Sequence, residues 1–153
     1  LELQLIATLC FAAFIPLSAI LAEKFGRKTT SIAVCILSAL FGFCFAPLLG
    51  SGNPVLVFLF LCLGLSIMGL TYGPLGTVLS ELFPTSVRYT GSALTFNLAG
   101  IFGASFAPYI ATKLATSYGL GAVGLYLSLA SILSLIAFLL IRETKYDDVN
   151  NQI

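Results

Sequence analysis

The sequence predicts an all-α polytopic membrane protein with five transmembrane helices, and three observations carry that reading. Of 153 residues only 7 are Lys or Arg and 6 are Asp or Glu, while 59% are hydrophobic. A water-facing domain carries roughly 25% charged residues, which at this length would be about 38. Mean hydropathy is +1.07, so there is too little polar surface to cover a globule in water. Third, every charge falls outside five apolar stretches, 3–22, 29–49, 55–80, 90–111 and 120–141. A helix rises about 1.5 Å per residue, so roughly 20 residues cross a hydrocarbon core of about 30 Å. Continuous helices also satisfy their own backbone groups, which lipid cannot do. A soluble enzyme, a nucleic-acid binder and a disordered tail are excluded.

Each stretch has a reason to end. The first runs into Glu23-Lys24-Phe25-Gly26-Arg27-Lys28, a short charged hairpin loop. The second stops at Gly50-Ser51-Gly52-Asn53-Pro54, a cluster of turn formers. The third, 26 residues long, exceeds a perpendicular crossing and must tilt or bend. It is closed by the polar segment 81–89, where Pro84 pushes its predecessor out of the helical region. The fourth is followed by a loop at 112–119 holding Lys113, and the fifth by a polar tail. Lys24, Arg27, Lys28, Arg88, Arg142 and Lys145 all fall on one side of this arrangement and Lys113 alone on the other. The positive-inside rule makes the first loop, the third loop and the C-terminus cytoplasmic. The chain opens Leu1-Glu2-Leu3, with an exterior start and no basic leader region. It is therefore expected to be the C-terminal part of a larger protein.

The stretches lack the groups that catalysis needs. There is no His anywhere and no acid or base within a stretch, whereas hydrolysis, metal chemistry and general acid–base work need such groups to converge. Cys10, Cys35, Cys44 and Cys62 have no metal-ligand spacing and read as small buried hydrophobes. An enzyme is not expected, and neither a cofactor nor a metal is implied. Any proton carrier lies outside this chain or at Glu81 on the membrane edge.

The third and fourth stretches hold the informative residues. Pro74 removes one backbone bond within Gly69-Leu70-Thr71-Tyr72-Gly73-Pro74, so a helix kink is expected there. Ser66, Gly69, Gly73, Thr77 and Ser80 share one helix face. Such a face fits close approach of a neighbouring helix, the preferred reading, or a pore-facing gate helix. In the fourth stretch Asn97, Gly100, Ala104, Ala107 and Ala111 share a face, and Asn97 is the only carboxamide in any stretch but the first, whose Gln4 lies at its very start. Packing is the default for Asn97, with substrate contact as the alternative; Tyr72, mid-stretch, is a similar case. Tyr109 lies near the outer interface, where aromatic residues gather.

Three segments together resemble the major facilitator superfamily of transporters. Ala19 to Lys28 is similar to its Gly-x-x-x-Asp-Arg-x-Gly-Arg-Arg/Lys hairpin, with Ala19, Glu23 and Lys24 departing conservatively. Gly73-Pro74 with Ser80-Glu81-Leu82-Phe83-Pro84-Thr85-Ser86-Val87-Arg88-Tyr89-Thr90-Gly91 resembles the loop between helices ten and eleven, above all in the bacterial metabolite–proton symporters. That group includes shikimate, dicarboxylate and proline/betaine permeases. Arg142-Glu143-Thr144-Lys145 is similar to the Pro-Glu-Thr-Lys-Gly segment after helix twelve, with Arg142 for Pro and Tyr146 for Gly.

The resemblance implies that the chain is helices eight to twelve of a twelve-helix transporter, with the N-terminal half and one further helix absent. It implies secondary active transport of a small polar metabolite by alternating access in a bacterial inner membrane, as a proton symporter. A uniporter or antiporter of the same fold, or a transporter-like sensor that moves nothing, are the alternatives. The implied partners are the bilayer, the N-terminal half, the metabolite and protons, and no nucleic acid. Tyr72, Thr77 and Asn97 are the substrate-contact candidates. Glu23, Arg27, Lys28, Glu81, Arg88 and Glu143 form the implied gating network, tying cytoplasmic helix ends together in one state and releasing them in the other. Neutralising Glu81 or Arg88 is then expected to slow transport while leaving affinity intact.

Overall fold

A computed structural model describes residues 2–141, and every regular element in it is helical. The elements are α1 (Glu2–Phe25), α2 (Arg27–Gly42), α3 (Phe45–Leu49), α4 (Pro54–Glu81), α5 (Arg88–Gly100), a π-helical turn (Ile101–Ser105), α6 (Phe106–Tyr118) and α7 (Leu120–Leu140). Among the described residues, four continuous helices are long and apolar enough to cross a membrane: α1, α4, the rod Arg88–Tyr118 and α7.

The predicted second span is where the fold departs from five unbroken helices. Residues 29–49 divide into α2 and the short α3, with a tight turn in which Phe43 N–H donates to Leu40 O (3.1 Å) and Cys44 N–H to Phe41 O (2.9 Å). The cause is Pro47. It has no N–H for the Phe43 carbonyl four residues earlier, and its ring crowds that carbonyl.

Two predicted loops are shorter than expected. Within 23–28 only Gly26 is non-helical; its φ of 98° reverses the chain between α1 and α2, a conformation costly for any residue with a Cβ. Its carbonyl accepts from both Thr30 N–H (3.1 Å) and Thr30 Oγ1 (2.9 Å), starting α2. The segment 112–119 is helical to Tyr118 and turns only at Gly119. There Thr112 and Thr116 donate to the carbonyls of Pro108 (2.8 Å) and Thr112 (3.0 Å), so these polar side chains bond inside the helix. At the start of α4 the turn cluster acts as predicted: Asn53 Oδ1 accepts from Val55 N–H at 3.0 Å and Pro54 occupies the first helical position.

Packing is organised in two helix pairs. α1 and α4 run parallel, crossing where a methyl group on Gly73 would lie 2.9 Å from both Ala19 N and Ile15 O and in conflict with Ser18 Oγ. A methyl on Gly69 would lie 2.7 Å from Phe11 O. Ser18, fully buried, donates to Ile15 O (3.0 Å) and reaches Gly69 O (3.4 Å). For Gly69 and Gly73 the shared small-residue face is therefore a helix crossing. α4 continues through Pro74, which is buried.

α2 and α7 run antiparallel. A methyl on Gly42 would lie 2.5 Å from Gly124 O, and Ser128 Oγ donates to Ala39 O at 2.8 Å. Ser131 and Ser38 share a hydroxyl hydrogen bond at 2.9 Å. The two pairs meet at Phe41, Phe45 and Phe60, whose ring centroids are 4.7 to 5.8 Å apart, with Val34 and Ile67 completing the core. The rod from α5 through α6 has no buried residue. Its widened turn precedes Pro108, which has no N–H for the Ala104 carbonyl.

Candidate functional site

Loop chemistry places the charges at one end of the bundle. Arg27 opens α2 and Glu81 closes α4, and Arg27 Nη1 and Glu81 Oε1 form an ion pair with side chains 25% and 14% exposed. Exposed pairs contribute about 0–1 kcal/mol; this one is mostly shielded, so removing one partner leaves the other charge poorly solvated. The next residue, Lys28, reaches the other way, its Nζ donating to Leu139 O (3.0 Å) and Ile141 O (2.5 Å). A cation there satisfies carbonyls left unpaired by the end of α7 and opposes its dipole. Adjacent residues thus fasten the start of α2 to the ends of both α4 and α7. Lys24 Nζ lies 5.5 Å from the centre of the Phe25 ring, and Glu23 is exposed in the last turn of α1. Glu143 lies outside the described residues.

Arg88 opens α5, across the loop from the end of α4. Its Nε donates to Phe83 O at 3.4 Å, and its side chain lines a cleft of about 700 Å³ between the end of α4 and the start of α5. Ser80, Thr85, Tyr89, Ser92 and Asn97 line the same cleft, and among the described residues no acid does. Leu79 and Phe96 form a common wall with a second cavity of about 320 Å³, lined by Tyr72, Thr95, Gly100 and Ala104. The two make one groove along α4 and α5, from Arg88 at the helix ends to the π-helical turn.

Of the three predicted substrate contacts, Asn97 lines the outer cavity and Tyr72 the inner one, while Thr77 is exposed and lines neither. Tyr72 is set edge-on to Phe11 at 5.7 Å, and Asn97 Nδ2 donates to Ala93 O at 2.8 Å. Sequence reasoning missed the Lys28 cap, which joins residues more than a hundred positions apart. It also missed the π-helical turn, for which Pro108 was an available signal.

The family model of the Major Facilitator Superfamily matches residues 2–152. The chain belongs to the major facilitator superfamily. It is 53% identical over 150 residues to the inner membrane metabolite transport protein YhjE of Escherichia coli strain K12, covering 97% of this chain and 34% of that protein. It is 30% identical to the citrate-proton symporter of Klebsiella pneumoniae (81% of this chain, 28% of that protein). To the shikimate transporter of Escherichia coli K12 it is 27% identical (86% and 31%). The chain spans about a third of the length of the curated relatives it matches. No solved structure matches it. The superfamily and the apolar helices together make this a membrane-spanning chain.

Proposed function

We propose that the protein carrying this chain is a secondary active transporter, moving a small polar metabolite by alternating access with proton coupling. The chain supplies helices eight to twelve, and its partners are the bilayer, the N-terminal half, the metabolite and protons. The membrane is the bacterial inner membrane, with the C-terminus and the Arg27–Glu81 end cytoplasmic, as the loop charges favour. This is transport without catalysis. Superfamily membership supports the mechanism, and a relative named as a citrate-proton symporter supports the coupling.

The observation that carries the reading is the Arg27–Glu81 pair joining two helix ends beside an open polar groove. Such a pair sets an equilibrium between conformations when it is made in one and broken in the other. Substrate would bind along the groove near the midplane, between the two halves, with Tyr72 and Asn97 as contacts. The test is uptake by cells expressing the full-length protein, with radiolabelled organic acids, betaine and amino acids, with and without protonophore. Uptake of one class that collapses with protonophore is expected. Uptake insensitive to protonophore would replace symport by facilitated diffusion or exchange, and no uptake of any class would remove the transport reading.

A further inference from the structure

We propose that the crevice between α1 and α2, floored by α4, is a seat for one acyl chain of a membrane phospholipid. The inference goes beyond transport and stands on the membrane-facing surface alone. Two cavities of about 310 and 350 Å³ follow one another along α2, and Leu37 and Leu70 line both. The first begins at the α1–α2 hairpin with Leu21, Phe25 and Thr29, and the second reaches Phe14, Phe41 and Cys44. From Thr29 to Phe41 the crevice runs about 18 Å, at about 1.5 Å per residue. One leaflet of the hydrocarbon core is about 15 Å deep.

Chemistry and size select the occupant. Among the described residues no charged side chain lines either cavity. Thr30 Oγ1 donates to Gly26 O (2.9 Å) and Ser66 Oγ to Cys62 O (2.7 Å), so both hydroxyl protons are spent on nearby backbone. Cys44 acts as a small soft hydrophobe, and Thr29 sits at the hairpin, level with the polar end of a lipid. A polar solute would find too few partners here to replace its water. Nor does a helix fit, since 18 Å of helix about 10 Å across fills roughly 1,400 Å³, far more than the two cavities hold together. A flexible hydrocarbon chain matches both bore and length.

In lipid no hydrophobic force drives apolar groups together, so retention comes from packing and from lipid entropy. A chain in the crevice touches two walls and a floor. On the ridge of α7 formed by Leu125, Leu129 and Leu133, all more than half exposed, it touches a single surface and gains fewer dispersion contacts. Phe25, 60% exposed, and Leu37, 44% exposed, are surfaces that a seated chain covers. Such a chain braces α1 against α2, which the hairpin at Gly26 joins at one end.

The test is photo-cross-linking of the full-length protein in phosphatidylcholine nanodiscs, with part of the lipid carrying a diazirine on one acyl chain. Peptide mass spectrometry locates the adducts. They are expected to concentrate at Leu21, Leu37 and Leu70, above the level on the 125–133 ridge. Ala33 is exposed on the crevice wall, so Ala33→Phe fills the crevice without meeting the core. Adducts at Leu37 and Leu70 are expected to be lost in this variant, while those on α7 stay. Leu37→Phe, at the junction of the two cavities, is expected to do the same and serves if Ala33→Phe does not fold. In detergent, added phosphatidylcholine is expected to raise the wild-type melting temperature, and Ala33→Phe to lose most of that rise because its ring takes the chain's place.

Adducts spread evenly between crevice and ridge would overturn the proposal, since the crevice would then be ordinary lipid-facing surface. So would crevice adducts that persist in both variants, or adducts on α7 with none in the crevice, the result if another helix covers it. Labelling only when phosphatidylglycerol replaces phosphatidylcholine would also overturn it, by assigning recognition to the headgroup. None of these readouts depends on uptake, so the transport reading stands or falls separately.

Discussion

The α1–α4 pair and the rod from Arg88 to Tyr118 carry similar small-residue faces and use them in opposite ways. On α4, Gly69 and Gly73 lie where a methyl group would run into the backbone of α1. On the rod, a methyl on Gly100 or Gly103 would meet nothing within 4 Å, and no residue is buried. The first face is consumed by a helix crossing inside this chain. The second lines the groove at Gly100 and Ala104 and stays open. A small-residue stripe therefore has no fixed meaning until the neighbouring helix is placed.

The comparison can be broken most directly at its two glycines. Gly73→Ala in the full-length protein is expected to cost about 1–3 kcal/mol, the range for overpacking a tight contact, read as a clear fall in melting temperature. Gly100→Ala is expected to stay within about 0.5 kcal/mol, as for substitutions away from packed features. Equal losses for the two would mean that the rod is covered in the whole protein as tightly as α4 is here.

A smaller effect is expected at the break in the second apolar stretch. Pro47→Ala restores an N–H and removes the ring that crowds Phe43 O, so α2 and α3 should fuse. Slower hydrogen–deuterium exchange at residues 43–48 would show it, and unchanged exchange would assign the break to another cause. Smallest is Ser128→Ala, which removes the bond to Ala39 O; interhelical bonds of this kind average about 0.6 kcal/mol. A much larger loss would make Ser128 a determinant of the α2–α7 crossing beyond its hydrogen bond.

Charge-free length made most of the helices legible in the sequence, because a charge inside hydrocarbon is expensive wherever it falls. That count cannot see proline, which is apolar yet breaks the bonding ladder. Hence the division at Pro47 and the widened turn before Pro108 were not read from it. Nor can it see that Thr112 and Thr116 bond within their own helix, carrying the rod seven residues past the apolar stretch.

At the site, helical spacing singled out Tyr72 and Asn97, and both line the α4–α5 groove. Thr77 shares the face of Gly73 by spacing but lies outside both cavities. The Arg27–Glu81 pair and the Lys28 cap join residues far apart in sequence, and only the crossing of the helices brings them together. Arg88 was grouped with the network by its charge and its neighbourhood in the chain. The fold sets it along the α4–α5 groove.

The division of labour between the pair and the groove is the central claim, and uptake kinetics of charge variants at the pair test it most directly. A pair contributing about 1.4 kcal/mol shifts a conformational equilibrium about tenfold. Glu81→Gln and Arg27→Gln in the full-length protein are therefore expected to lower kcat for uptake about tenfold, with KM within about twofold. The exchanged pair, Arg27→Glu with Glu81→Arg, is expected to recover much of the loss. Sharply raised KM with unchanged kcat in the single variants would contradict the account, because Arg27 and Glu81 would then be part of the binding site rather than a latch beside it.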